Sequence, residues 1–431
     1  MDIHKLKSTA IDSLLSDHVN YLRASYADII KRNKIGGIFL HRGVVSPKNS
    51  LDDYHWPLAL TPHYLHWAPD ASLDGGVLVT EKDVCLIQIA HDNYWEGPAP
   101  KLVSNECYEK KRVLTLDEIS FPTSTVFVGD DLEVARALGL SIATESLLAD
   151  LNKVRTRKTA YELKCIIEAT EKALGGHKMV EKKFLNCGAE SEFELHLEYL
   201  KVTGQTLFAT PYQPIVAYGK NAAILHHVYY SEQPNSKSNE SLLVDAGASA
   251  RYYASDITRT YCRGDSADSN LFRGLIKELD FAQQKIASEF IVGTLFEDLH
   301  DRTHLEIAKI LLSCEILQNI SAEDAVSSQL TRIFLPHGLG HSLGIQVHDV
   351  GLKTKKPATK NPFLRNTSVV EEGQVCTIEP GIYFIDSLLA AHANNSFINW
   401  EVVEKLKKFG GIRIEDNIYA DAKKPINLTR M

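Results

Sequence analysis

The stretch Leu242-Leu-Val-Asp-Ala-Gly-Ala-Ser-Ala-Arg-Tyr-Tyr-Ala-Ser-Asp-Ile-Thr-Arg-Thr-Tyr-Cys-Arg263 decides how the chain is read. Three apolar residues, Leu242, Leu243 and Val244, deliver Asp245 on a strand, small residues follow, and a second strand returns Asp256. With Ala250 and Arg251 as the turn, Asp245 and Asp256 are predicted to be directly opposed, with Cβ atoms about 4.5 to 5.5 Å apart on one face. Two like charges that close on buried strands raise each other's pKa and cost stability unless a cation lies between them. Taken alone, the pair also fits ordinary turn and edge aspartates, so further ligands decide.

The bulk numbers bound the answer. At 431 residues the chain exceeds one ordinary core, which predicts two domains or more. With 44% hydrophobic and 24% charged residues it is globular rather than disordered or fibrous. A net charge of -8 with dispersed Lys and Arg offers no basic stripe, which argues against a nucleic-acid partner. The opening residues lack a secretory apolar stretch, and no run long enough to span a membrane occurs, so a cytoplasmic protein with no membrane contact is expected. Seven scattered cysteines (Cys85, Cys107, Cys165, Cys187, Cys262, Cys314, Cys376) without a CxxC pair are expected to be buried, reduced thiols.

Over residues 5–34 the spacing of Ile11, Leu14, Leu15, Val19, Leu22, Tyr26, Ile29 and Ile30 predicts an amphipathic helix, with Gly36-Gly37 as its stop. Ile38 to Leu40, Val77 to Val79, Val84 to Ile89 and Val126 to Val128 read as strands, the middle two as a hairpin, and Leu132 to Leu138 as a short helix. That alternation predicts an α/β domain over residues 1–155. Leu51 to Trp67 is dense in aromatics and histidines; a packed surface loop is favoured over a lid. A helical, charged pattern runs from Lys153 to Lys183, and further helices are predicted at Glu192 to Val202, Ser269 to Ser288 and Leu295 to Leu312.

Three histidines, His337, His341 and His348, fall among the glycines of Pro336-His-Gly-Leu-Gly-His-Ser-Leu-Gly-Ile-Gln-Val-His348, which predicts a loop leading into a strand. No Glu follows the first His, so this is not the HExxH of a zinc protease. Val375 to Ile378 reads as a strand ending in Glu379-Pro-Gly381, and Ile412-Arg-Ile-Glu415 puts Arg413 and Glu415 on one strand face. Asp245, Asp256, one loop histidine, Glu379 and Glu415 together make four carboxylates and an imidazole. That set suits two hard dications such as Mn²⁺, with Zn²⁺, Co²⁺ and Fe²⁺ as alternatives, and differs from a structural zinc site.

These residues, in this order, resemble the pita-bread metallopeptidases, a family that includes methionine aminopeptidase, aminopeptidase P and prolidase. The resemblance is carried by Ala223-Ile-Leu-His226, Leu243-Val-Asp-Ala-Gly247, Ala254-Ser-Asp-Ile-Thr-Arg259, Pro336 to His341 with His348-Asp349, Thr377-Ile-Glu-Pro-Gly381 and Gly410-Gly-Ile-Arg-Ile-Glu-Asp416. Asn361-Pro-Phe-Leu-Arg-Asn-Thr367 and Phe384-Ile-Asp-Ser-Leu-Leu389 point to the prolidase and organophosphorus acid anhydrolase branch. The fold this implies is α/β (α+β), a small amino-terminal α/β domain followed by a pita-bread catalytic domain over residues 156–431.

The resemblance also implies the roles. Asp256 and Glu415 would bridge two divalent ions, most simply Mn²⁺; Asp245 would complete one, and His341 with Glu379 the other. His341 is the ligand among the three loop histidines because in the family that ligand precedes a second catalytic histidine, here His348, by seven residues. Glu379, His226, His348 and Arg413 would be catalytic, and Arg365, Tyr212 and His337 would contact substrate, Arg365 by holding the substrate carboxylate. A hydroxide bridging the ions would hydrolyse Xaa-Pro dipeptides, with side activity on organophosphate triesters and fluorophosphates, in a homodimer. Aminopeptidase P activity on longer peptides and a non-catalytic binding module are the alternatives. The segment between His348 and Arg365 departs from the family in being short and rich in lysine (Lys353, Lys355, Lys356, Lys360).

Overall fold

The computed structural model describes residues 3–51, 53–69, 74–90, 107–186, 189–235, 239–351, 353 and 355–431. The chain forms two compact units, residues 2–164 and 165–431. In the first, the helix Ile11–Asn33 buries Leu14, His18, Val19, Leu22, Tyr26, Ile29 and Ile30, the face set by its 3.6-residue period. Its stop differs from the expected glycine pair: Lys34 takes the left-handed conformation (φ 53°), and its N–H bonds the carbonyls of Ile30 and Lys31. Gly36 serves a close approach instead, since a Cβ there would lie 2.1 Å from the Thr123 carbonyl oxygen.

A mixed six-stranded sheet follows, in the order Glu109–Val113, Val84–Ile89, Asp74–Val79, Gly37–His41, Thr125–Val128, Ser141–Ile142. The fully buried Gly37–His41 strand runs antiparallel to Asp74–Val79 and parallel to Thr125–Val128. The aromatic stretch divides: Leu51, Tyr54 and Trp56 are exposed, while the helix Pro62–Trp67 buries His63, Tyr64, His66 and Trp67. The helical pattern after Lys153 is two helices, Glu145–Thr156 and Ala160–Asn186. The break has a local cause, because Thr159 N–H donates to Glu162 Oε2 (2.8 Å) while Thr159 Oγ1 accepts from Glu162 N–H (3.4 Å), a reciprocal cap.

In the second unit, one antiparallel sheet orders Thr258–Cys262, Ser241–Asp245, Ile215–Tyr218, and another Val375–Ile378, Asp416–Tyr419, Ile426–Asn427. The helices Ala267–Ser288 and Phe296–Ser313 supply apolar faces (Phe272, Leu275, Leu279, Ile307, Leu311) to one core with Ile382, Phe384 and Ile412. A bridge between Thr258 and Glu415 joins the ends of the two strand systems. Asp245, Glu379 and Glu415 sit at or just beyond these strand ends and line a common space with residues of the loops.

Three further expectations need correction. The central hairpin turns at Arg251 and Tyr252, both at positive φ (51° and 68°), not at Ala250 and Arg251. A two-residue turn of that hand matches the strand twist. It moves the register by two, so Asp245 opposes Thr258 and Asp256 is its diagonal neighbour. A shift of two preserves the side-chain period, so the aspartates still share a face. The histidine loop does not lead into a strand. Its residues 339–343 bond directly to the segment 375–379: Thr377 N–H to His341 O (2.9 Å), Glu379 N–H to Leu339 O (2.8 Å) and Leu343 N–H to Val375 O (2.9 Å). Among the described cysteines, Cys165, Cys262 and Cys376 are buried thiols, whereas Cys85, Cys107 and Cys314 are partly exposed; Cys187 lies outside the described residues.

Candidate metal centre and active site

Asp245 ends its strand, Asp256 follows the hairpin, and Glu379 and Glu415 lie just beyond Val375–Ile378 and Gly411–Arg413. Asp256, His341 and Glu415 each offer a donor atom, and these atoms lie within 4.8 Å of one another. His341 Nε2 stands 3.4 Å from Asp256 Oδ2 and 3.7 Å from Glu379 Oε1. Its other nitrogen, Nδ1, lies 3.0 Å from the Ser342 carbonyl oxygen, which only accepts. In the neutral imidazole the proton therefore sits on Nδ1 and the Nε2 lone pair faces the carboxylates, the tautomer a metal ligand needs. Gly340 is required beside it, because a Cβ there would lie 2.0 Å from the Thr377 carbonyl oxygen.

Charge is concentrated here beyond what the protein itself neutralises. Arg413 donates to Asp245 Oδ2 (2.6 Å), to the Tyr383 hydroxyl (2.8 Å) and to Thr258 Oγ1 (3.2 Å), and Thr258 donates to Glu415 Oε2 (2.7 Å). Burial, then the neighbouring Asp256, Glu379 and Asp245, holds the Glu415 carboxyl well above its usual range. Burial and Asp245 raise Asp256, and burial pushes Glu379 up to about 7. Burial works against a charge on His341, but Asp256 and Glu379 outweigh it and raise its pKa. Buried carboxylates that retain protons in this way, beside a correctly presented imidazole, fit a site for divalent cations.

The centre floors a cavity of ≈ 810 Å³. Every residue singled out from the sequence lines it: Tyr212, His226, Asp245, Asp256, His337, His341, His348, Arg365, Glu379, Arg413 and Glu415. Tyr212 donates within reach of both aspartates, 2.8 Å from Asp245 Oδ1 and 2.5 Å from Asp256 Oδ1. His348 packs edge-on to His341 with ring centroids 4.4 Å apart, and burial, then His341 and Arg365, lowers its pKa to about 4, so it is neutral at neutral pH. His337 has both ring nitrogens engaged, Nδ1 with the Gly338 carbonyl (2.8 Å) and Nε2 with the Tyr383 hydroxyl (2.9 Å). Tyr383, between Arg413 and His337, and Thr258, between Arg413 and Glu415, act only through hydrogen bonds, a role with no charge or spacing signature in the sequence.

Residues 164–422 match Metallopeptidase family M24, more than half of the chain. The chain belongs to metallopeptidase family M24. This metallopeptidase is 37% identical over 439 residues to the Xaa-Pro dipeptidase of Pseudoalteromonas translucida, covering 97% of this chain and 98% of the relative. It is 38% identical over 435 residues to the Xaa-Pro dipeptidase of Shewanella woodyi, covering 96% and 97%. Its fold is similar to aminopeptidase P from E. coli with the inhibitor Pro-Leu (TM-score 0.75, 17% identity, covering 96% and 95%). It is also similar to Pseudomonas aeruginosa aminopeptidase PepP (TM-score 0.73, 20% identity, covering 96% and 94%). The expected fold, a pita-bread catalytic domain with an amino-terminal α/β domain, is thereby established, as is its class as a hydrolase. Among the described residues no helix is long and apolar enough to cross a membrane.

Proposed function

We propose that this metallopeptidase is a dinuclear Xaa-Pro dipeptidase. The observation that carries the reading is Arg365, which lines the same cavity as the carboxylate cluster and offers a planar donor pair for a proline carboxylate. The names of its relatives, matched over nearly the whole chain, support the same substrate class. Asp245, Asp256, His341, Glu379 and Glu415 would hold two divalent ions. The oxygen-rich set suits Mn²⁺. When bound, the ions supply Lewis acidity and a water acidified toward neutral pH.

The chain's own groups do the remaining work. Glu379 accepts a proton at its Oε atoms and delivers it to the departing proline nitrogen. That nitrogen carries no N–H in the substrate and must be protonated to leave. His348, neutral, and His226 donate hydrogen bonds to the substrate oxygen on which charge develops. Arg413 fixes Asp245 and, through Tyr383, His337, while Tyr212 orients both aspartates. The enzyme is proposed as a cytoplasmic homodimer.

Hydrolysis of Gly-Pro, Leu-Pro and a tripeptide beginning Leu-Pro, with and without Mn²⁺, tests this. Metal-dependent cleavage of the dipeptides is expected; faster cleavage of the tripeptide would instead make the enzyme an aminopeptidase P. Phosphotriesters and fluorophosphates are proposed side substrates, since a metal can equally hold the oxygen of a phosphoryl group. They have no carboxylate. Arg365→Ala should raise KM for Leu-Pro roughly 10- to 150-fold, the loss of a charged hydrogen bond, and leave triester hydrolysis nearly unchanged.

A further inference from the structure

The lysine-rich segment between His348 and Arg365 is pinned at its base. On the helix Phe296–Ser313, Glu297 and Asp301 stand four residues apart on one face. Glu297 takes Lys355 (2.8 Å) and the Ala358 N–H (3.2 Å); Asp301 takes Lys360 (2.6 Å) and the Asn361 side-chain amide (3.2 Å). From the other side, Arg332 Nη2 donates to Asn361 Oδ1 (2.8 Å), while its Nη1 donates to His304 Nε2 (2.6 Å). Asn361 is 3% exposed and its side chain is engaged from both sides. It also opens the turn that ends at the buried Leu364, with Leu364 N–H on Asn361 O (3.1 Å). The next residue is Arg365.

We infer that Asn361, clamped between Arg332 and Asp301, is a positioning residue that sets where Arg365 meets the substrate carboxylate. The inference rests on the dipeptidase reading and deepens it. A buried amide bonded on both its oxygen and its nitrogen has one orientation, and through the four-residue turn it fixes the backbone from which Arg365 projects. A long side chain held at its root loses less freedom on forming its ion pair, and a bidentate pair tolerates little displacement. Neither Asn361 nor Arg332 lines the cavity, so the clamp acts only through what it carries.

A double-mutant cycle on Leu-Pro hydrolysis decides it. Asn361→Ala should raise KM about 10-fold with kcat changed less than about twofold, since only carboxylate binding is loosened. In an Arg365→Ala background the same substitution should add less than about twofold, because the group it positions is gone. Asp301→Asn, which keeps an acceptor for the Asn361 amide, should lie near wild type. Full additivity of Asn361→Ala with Arg365→Ala would overturn the inference, as would a fall in kcat that tracks a fall in melting temperature. A wild type that ignores Leu-Pro altogether would overturn the dipeptidase reading itself, a result plainly different from additivity in an active enzyme.

Discussion

Glu379 and His348 line one cavity, yet their environments drive them apart: burial raises the carboxyl to about 7 and lowers the imidazole to about 4. In the metal-free fold the carboxyl holds a proton that a cation can displace, while the imidazole stays neutral and can donate a hydrogen bond. Glu379→Gln should therefore remove nearly all activity and weaken binding of one metal equivalent, whereas His348→Ala should retain the metal and lose about 10² to 10⁴ in kcat. Elemental analysis beside steady-state kinetics checks this; loss of metal from His348→Ala would mean that the ligand histidine has been misassigned. At this scale the charged members were legible, because four carboxylates and three histidines stand out by type and spacing. Tyr383 and Thr258 were not. Their hydroxyls matter only through bonds to Arg413, His337 and Glu415, which the chain brings together from positions far apart in sequence.

Between elements, the decisive contact is the backbone pairing of residues 339–343 with 375–379, which sets His341 beside Glu379. Gly340 permits it. Gly340→Ala would force a Cβ to within 2.0 Å of the Thr377 oxygen, and the two segments must part. The expected cost is about 1 to 3 kcal/mol of stability, with weakened metal binding although no ligand is changed. Thermal melting and metal titration measure both; unaltered metal affinity would show that the pairing does not hold the site. The strand alternation and the long helices were readable from periodicity. The hairpin register was missed by two because nothing in Ala250-Arg-Tyr-Tyr253 announces a turn with two left-handed residues, neither of them Gly, Asn or Asp. The histidine loop was legible as irregular, but its ladder-like bonding depends on a partner segment some thirty-six residues away.

For the whole molecule, protons and cations compete for the same carboxylates. Asp256, Glu379 and Glu415 have raised pKa values in the metal-free fold, so the folded chain holds protons there that the unfolded chain releases above about pH 4.5. Metal-free protein should thus lose this contribution as pH rises from about 4.5 through 7, and the stabilisation gained on adding Mn²⁺ should widen over the same interval. Melting curves of the stripped and loaded protein at pH 5, 6 and 7.5 test this; a constant difference would contradict it. Elsewhere the sign is opposite. Burial lowers His18 and His300 to about 4, so between pH 6.5 and 4 only the unfolded chain takes up these protons. The metal-loaded protein should lose on the order of 3 kcal/mol per histidine across that window. A two-domain plan was readable from length and the change of pattern. The pita-bread architecture came from motif resemblance, since no repeat is visible and the ligands reside at strand ends and in loops.

The central claim is that five side chains, Asp245, Asp256, His341, Glu379 and Glu415, hold two divalent cations on which peptide hydrolysis depends. Titrating metal-stripped enzyme with Mn²⁺ while following Leu-Pro hydrolysis tests it most directly. Activity should be negligible without metal and reach its plateau at two equivalents per chain. Full activity in the stripped enzyme, or a plateau at one equivalent, would contradict the account.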